Sequence, residues 1–399
     1  MKDSSPFSDL SISHLTAGFV AVLIGFSSSV VIILQAAQAA GADSAQVSSW
    51  IWALGLGMGI TSAGLSWYFR EPVLTAWSTP GAALLATSLS GFSLAEATAA
   101  FMFAALLTVI VGWTGWFERL LKHLPQSLAA AMLAGILFQF GLEAFAALEH
   151  HFLLVAAMLV TYVVGRQRLP RYAILLVLAV GMLVVVAQGE FHGQHLSLSL
   201  ASPQFVMPDF SPGVLIGVGV PLFIVTMTSQ NLPGLAVLRA NGYQTPLSPV
   251  LTFTGLVNLV LAPFGGFAYN LAAITAAICM GEEAGEKRSS RYLAAVCAGV
   301  VYAVVGLFGA TVVALFAAFP QAFVVALAGL ALLGTIGNSL HAALDDVEGR
   351  EAALMTFLVT ASGLTLWGIG AAFWGIVVGA AVQLSISALR RPDPESARE

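Results

Sequence analysis

Of 399 residues, 58% are hydrophobic and only 9% are charged, and the mean hydropathy is +0.91. That balance excludes a soluble protein or a sizeable soluble domain, because apolar runs long enough to cross a bilayer recur along the whole chain. The net charge of −5 decides little, since orientation depends on where Lys and Arg sit, and no nucleic-acid partner is expected.

Residues 1–13 are polar and lack a small-residue cleavage site, so no removable signal peptide is expected. Apolar windows then give about fourteen membrane segments. The first runs from His14 to Ala40 and the second from Gln46 to Phe69. The third, Pro72 to Ser90, reads as a broken span. Val73 to Thr79 has an extended character, and a short helix starts at Pro80 and covers Gly81 to Thr87. Ser78 and Thr79 sit at the capping end, where the missing N–H of Pro80 costs nothing. The next segments are Ala95 to Trp116, Gln126 to Glu143, Phe152 to Gly165 and Tyr172 to Gln188. A polar stretch, Gly189 to Ser211, separates the halves.

The eighth segment spans Pro212 to Leu238 and the ninth Pro246 to Ala262. The tenth, Pro263 to Met280, repeats the broken grammar. Gly265 to Tyr269 is expected to be extended, with Asn270 as N-cap of a helix from Leu271 to Ala277. Tyr292 to Phe319, Gln321 to Leu340, Glu351 to Gly368 and Gly370 to Leu389 complete the set. Starting from a cytoplasmic N-terminus and alternating sides puts all 15 Lys and Arg inside, so both termini are expected to be cytoplasmic. The hexapeptide from Ala39 resembles the one from Ala240, each after the first segment of its half. An odd number of segments per half predicts an inverted repeat, with the two broken spans antiparallel at mid-membrane.

Backbone that leaves helix inside a bilayer is tolerated only where it is buried in protein or lines a cavity. A half-helix starting there aims its partial positive end into that cavity, which suits an anion. The expected site is therefore the backbone N–H groups of Gly81, Ala82, Leu271 and Ala272, with side-chain donors from Ser78, Thr79 and Asn270. Trp77, Phe267 and Tyr269 would wall a ring. In the eighth segment a kink at Pro233 would expose Gln230 and Asn231, neutral amides that bind a carboxylate without repelling it. Ser27, Ser28, Ser29 and Gln35 of the first segment are further lining candidates. A bulky acidic residue in place of Pro80 or Asn270 is expected to abolish binding. No acidic or basic residue falls at the bilayer centre. Glu143, four residues from Gln139 on one helix face, is the candidate for moving a proton, and Glu143→Gln is the variant that should uncouple it. Cys279 and Cys297 lie in apolar stretches and read as reduced core residues. His150, His151, His192 and His195 read as loop residues, and no metal spacing recurs.

Four stretches carry a family resemblance over essentially the whole length: TAGFVAVLIGFSSSVVIILQAA, TAWSTPGAALLA, FIVTMTSQNLPGLAVLRANGY and GGFAYNLAAITAAI. The chain resembles the bacterial benzoate membrane transporters. The resemblance implies a multi-pass protein of the bacterial inner membrane that carries benzoate with a proton by alternating access, with no cofactor and no enzymatic activity. It implies an all-α architecture like that of the uracil, xanthine and sulfate transporters, in a seven-plus-seven inverted repeat. Core domains at residues 14–116 and 212–319 would move against gate domains at 126–188 and 321–389, with cytoplasmic tails at 1–13 and 390–399. The nucleobase carriers have a key acidic residue in the eighth and in the tenth segment, where this chain has Gln230 and Asn270. That departure suits an anionic substrate, and a nucleobase or another small anion is the alternative. A homodimer is one candidate assembly.

Overall fold

The computed structural model describes residues 10–116, 126–192, 197–367 and 369–389. The first half contains α1 (Ile12–Ala39), α2 (Ser44–Phe69), β1 (Thr75–Trp77), α3 (Thr79–Ser88), α4 (Leu94–Thr114), α5 (Gln126–Ala146), α6 (Phe152–Arg168) and α7 (Ala173–Ala187). The second contains α8 (Pro212–Ala240), α9 (Leu247–Leu261), β2 (Tyr269–Leu271), α10 (Ile274–Met280), α11 (Tyr292–Leu307), α12 (Gly309–Ala317), α13 (Gln321–Leu344), α14 (Arg350–Ala361) and α15 (Ala371–Leu389).

Among the described residues six helices are long and apolar enough to cross a membrane by length and composition, or seven if α1 counts, whose halves Ile12–Ser27 and Ser29–Ala39 meet at 45°. The long helix α2 is not among them. Its sequence carries Ser48, Ser49, Thr61, Ser62 and Ser66, all buried, and these hydroxyls serve the interior.

Both broken spans are broken as expected, and they meet. β1 and β2 form a two-stranded antiparallel ribbon with Thr75 opposite Leu271, Ala76 opposite Asn270 and Trp77 opposite Tyr269. Two further bonds extend it, Ser78 N–H to the Ala268 carbonyl at 3.1 Å and Ala272 N–H to the Leu74 carbonyl at 2.9 Å. α3 begins at Thr79 with Ser78 as N-cap and Pro80 in the first turn.

Four expectations need correction. Asn270 is not an N-cap: it lies within β2, and the helix starts at Ile274 after Ala273. Pairing with β1 holds 269–271 extended, and that tertiary demand overrides the local capping signal. The stretch Tyr292 to Phe319 is two helices divided at Phe308. α14 ends at Ala361, before a turn closed by a bridge between Leu366 and Ile369. Instead of kinking at Pro233, α8 widens into a π-turn over Met227–Asn231, and an earlier one spans Leu215–Gly219. Each π-turn ends two residues before a proline, Pro221 or Pro233. A proline lacks the N–H for the preceding turn and crowds the carbonyl four residues back, and the wider turn relieves both.

The helices sort into two packed groups. α2 packs on α11, where Gly55 meets Gly306 and Gly59 meets Gly299 so closely that a Cβ would collide with the facing backbone. α1 packs on α11 and α3, and α4 on α9. In the other group α5 packs on α13 and α14, α6 on α7, and α14 on α15. The groups touch where α5 meets α3 and the second π-turn, and where α1 meets α7 and α13.

The two resembling hexapeptides close equivalent turns. Ala40, Gly41 and Ala42 donate to the carbonyls of Ala36, Gln38 and Ala37, while Asn241, Gly242 and Tyr243 donate to those of Val237, Arg239 and Leu238. Gly41 at φ 74° and Gly242 at φ 75° adopt the left-handed conformation that each turn requires. At the start of α1, His14 is buried at 2% exposure, accepting the Ser11 N–H at Nδ1 (3.0 Å) with Nε2 3.2 Å from Ser290 Oγ.

Candidate substrate site at the crossing of the broken spans

An isolated two-stranded ribbon leaves one backbone edge of each strand unpaired, and inside a membrane that is costly. Here side chains take the place of a third and a fourth strand. On the β1 edge, Thr75 N–H donates to Ser62 Oγ at 3.0 Å and Trp77 N–H to Met58 Sδ at 3.1 Å. Ser66 Oγ donates to the Val73 carbonyl at 3.0 Å, and Thr75 Oγ1 lies 2.6 Å from Thr61 Oγ1 and 2.8 Å from Ser62 Oγ. On the β2 edge, Leu271 N–H donates to Asn231 Oδ1 at 3.1 Å. Sequence reasoning missed the α2 hydroxyls, although Ser62 and Ser66 stand four apart on one helix face of an otherwise apolar segment.

Each candidate residue has a definite place. Trp77 is buried, its indole N–H donates to Ser29 Oγ at 2.8 Å, and its ring lies 5.0 Å from that of Phe26. Ser29, near the bend of α1, is thus bonded to Trp77. Ser78 caps α3 by accepting the Gly81 N–H at 2.9 Å, and its carbonyl accepts the Ala82 N–H at 2.8 Å. Pro80 and Gly81 are buried, and Gly81 stands against Leu222 of α8. Thr79 is half-buried at the helix start, and Gln230 is half-buried in the π-turn.

The expectation of free N–H groups at Gly81, Ala82, Leu271 and Ala272 is corrected, since each already has an acceptor. Asn231 and Asn270 are buried and bonded to each other, Asn231 Nδ2 donating to Asn270 Oδ1 at 2.8 Å. Tyr269 is buried with its hydroxyl on the Ala53 carbonyl at 2.8 Å, and its ring occupies the space where a Cβ on Gly57 would be. Phe267 packs with Trp50 and Phe101 as a buried aromatic cluster. Glu143 is exposed on α5, 3.3 Å from Gln139 Nε2. Among the described residues no group of three or more His, Cys, Asp or Glu could hold a metal ion.

The crossing therefore brings the start of a ten-residue half-helix beside a buried indole, with the π-turn that carries Gln230 packed on β2 and α5. A helix start of this kind favours a small anion, and the aromatic neighbours favour a flat apolar body attached to it. Two broken stretches paired through their strands are a construction found in many membrane transporters. The whole-chain comparisons agree. The family described as "BenE: Benzoate membrane transport protein" matches residues 8–385, and the chain belongs to this family. It is 50% identical over 365 residues to the inner membrane protein YdcO of Escherichia coli K12, covering 92% of this chain and 93% of that protein. It is 43% identical over 371 residues to the benzoate membrane transport protein of Acinetobacter baylyi, covering 93% and 94%. Among solved structures it resembles murine Slc26a9, an anion transporter in the inward-facing state, with a TM-score of 0.61 at 14% identity, covering 98% of this chain and 69% of that one. The transmembrane domain of the cyanobacterial bicarbonate transporter BicA aligns with a TM-score of 0.58 at 14% identity, covering 95% and 98%. At that identity the likeness is one of fold.

Proposed function

We propose that the chain is a secondary transporter that brings benzoate, or a close aromatic carboxylate, across the bacterial inner membrane together with a proton. Membership of the benzoate transport family carries this reading. The site supports it: the carboxylate meets the start of α3 at Thr79 and the amide of Gln230, and the ring lies toward Trp77 and Phe26. Tyr269, Asn270 and Leu271 form the rear of the site. The helix group of α1–α4 and α8–α12 acts as the core and carries the site past the gate group of α5–α7 and α13–α15. The count of about fourteen spans in an inverted repeat and the cytoplasmic position of both termini belong to the same reading, supported by the matched turns at Gly41 and Gly242. Glu143 is the candidate proton carrier on the gate.

The test is uptake of labelled benzoate into proteoliposomes with and without an imposed pH gradient. Saturable uptake that accumulates benzoate only with the inside alkaline is the expected result. Saturable uptake indifferent to pH would remove the proton from the scheme, and the absence of saturable uptake would remove benzoate. Glu143→Gln should abolish the accumulation while sparing exchange of internal for external benzoate.

A further inference from the structure

The two asparagines at the crossing are spent on one another. Asn231 Oδ1 accepts the Leu271 N–H at 3.1 Å, Asn231 Nδ2 donates to Asn270 Oδ1 at 2.8 Å, and Asn270 Nδ2 donates to the Ala268 carbonyl at 2.6 Å. Their exposures are 1% and 2%. The series has one direction, because turning either amide around would set oxygen against oxygen or nitrogen against N–H. It joins two irregular pieces of backbone, the Met227–Asn231 π-turn and β2. Asn231, the last residue of the π-turn, is thereby bonded to β2 through both its oxygen and its nitrogen.

We propose that Asn231 and Asn270 are a positioning pair rather than substrate ligands. They lock β2 to the π-turn and so fix where the adjacent Gln230 and the start of α3 stand. A buried amide whose oxygen and nitrogen both already have partners cannot turn to a substrate without giving up a bond of similar worth. This rests on the proposed role in benzoate transport, but its structural half can be tested without substrate.

Asn231→Ser, Asn270→Ser and the double variant are compared with the parent chain in two assays. In thermal unfolding of the purified protein, the double variant should melt no lower than the worse single variant, because either change breaks the same unit. In benzoate uptake, each single variant should lose about tenfold or more, the double should lose no more than the worse single, and the rank order of competing ring-substituted benzoates should stay that of the parent. Asn270→Asp keeps the shape and serves if the serine variants do not accumulate. Only its neutral acid fits, the hydroxyl donating to Ala268 and the other oxygen accepting from Asn231. Its uptake should therefore rise relative to the parent as pH falls through the carboxyl range, in maximal rate rather than KM. Additive melting losses would overturn the pair. Uptake losses that multiply, an altered rank order, or a rise in KM alone would make the amides substrate ligands. A parent chain inactive toward benzoate would defeat the transport reading, while the melting comparison would still decide the pairing.

Discussion

Ser29 is the residue on which the aromatic wall of the proposed site depends. It accepts the buried indole N–H of Trp77 while donating to the Gly25 carbonyl at 3.0 Å. Ser29→Ala leaves that N–H without an acceptor, a loss of about 1–3 kcal/mol for a buried donor. The expected outcome is a lowered melting temperature and an altered Trp fluorescence, checked against Ser29→Thr, which keeps the acceptor. Residue identity made some of this legible. Ser78 and Pro80 announce a helix start because capping chemistry is local and needs only neighbouring residues. Asn270 carries the same local signal and is used differently, because its conformation is set by a strand almost 200 positions away in the chain.

The half-helix α3 supplies the positive end of the proposed site, and its charge balance can be set against its stability. Thr79→Asp adds an acid to the first turn, where the helix dipole tolerates it, but brings a negative charge to the point that should receive a carboxylate. Benzoate binding should weaken at least tenfold while the protein still assembles in the membrane, as read by ligand binding to the purified protein. At this scale the apolar windows gave most helix bounds to within a few residues, since a long apolar run writes itself into every position of a helix. The break at Phe308 and the early end of α14 left no such mark, because both flanks remain apolar. The prolines of α8 did signal an irregularity, but a proline only forbids the regular bond and does not say which alternative turn replaces it.

The molecule as a whole is held by surfaces that compositional reading does not reach. Residues 201–211 lie across several elements of the first helix group. Ala201 N–H bonds to Leu307, Gln204 N–H to Ser49 Oγ, Val206 N–H to Pro263, Asp209 N–H to Ala95, and Ser211 Oγ to Glu96. On the proposed topology this strap faces the outside and the loop after α13 faces the cytoplasm. A cysteine at Ser202 should react with an impermeant maleimide in intact cells, and one at Glu348 only after permeabilisation. The reverse pattern would invert the orientation. The native Cys279 and Cys297 are buried and should stay unlabelled in the folded protein, giving a clean background.

The ribbon at the centre is only three residues wide on each strand, and alternate side chains point to opposite faces. Removing one residue from Pro72–Leu74 would not merely shorten a connection. It would slide the strand by one place, turn the indole of Trp77 away from Ser29 and bring Ser78 in its stead. A protein of this design can accept new side chains around its cargo, but it has no freedom to gain or lose a residue on the approach to them.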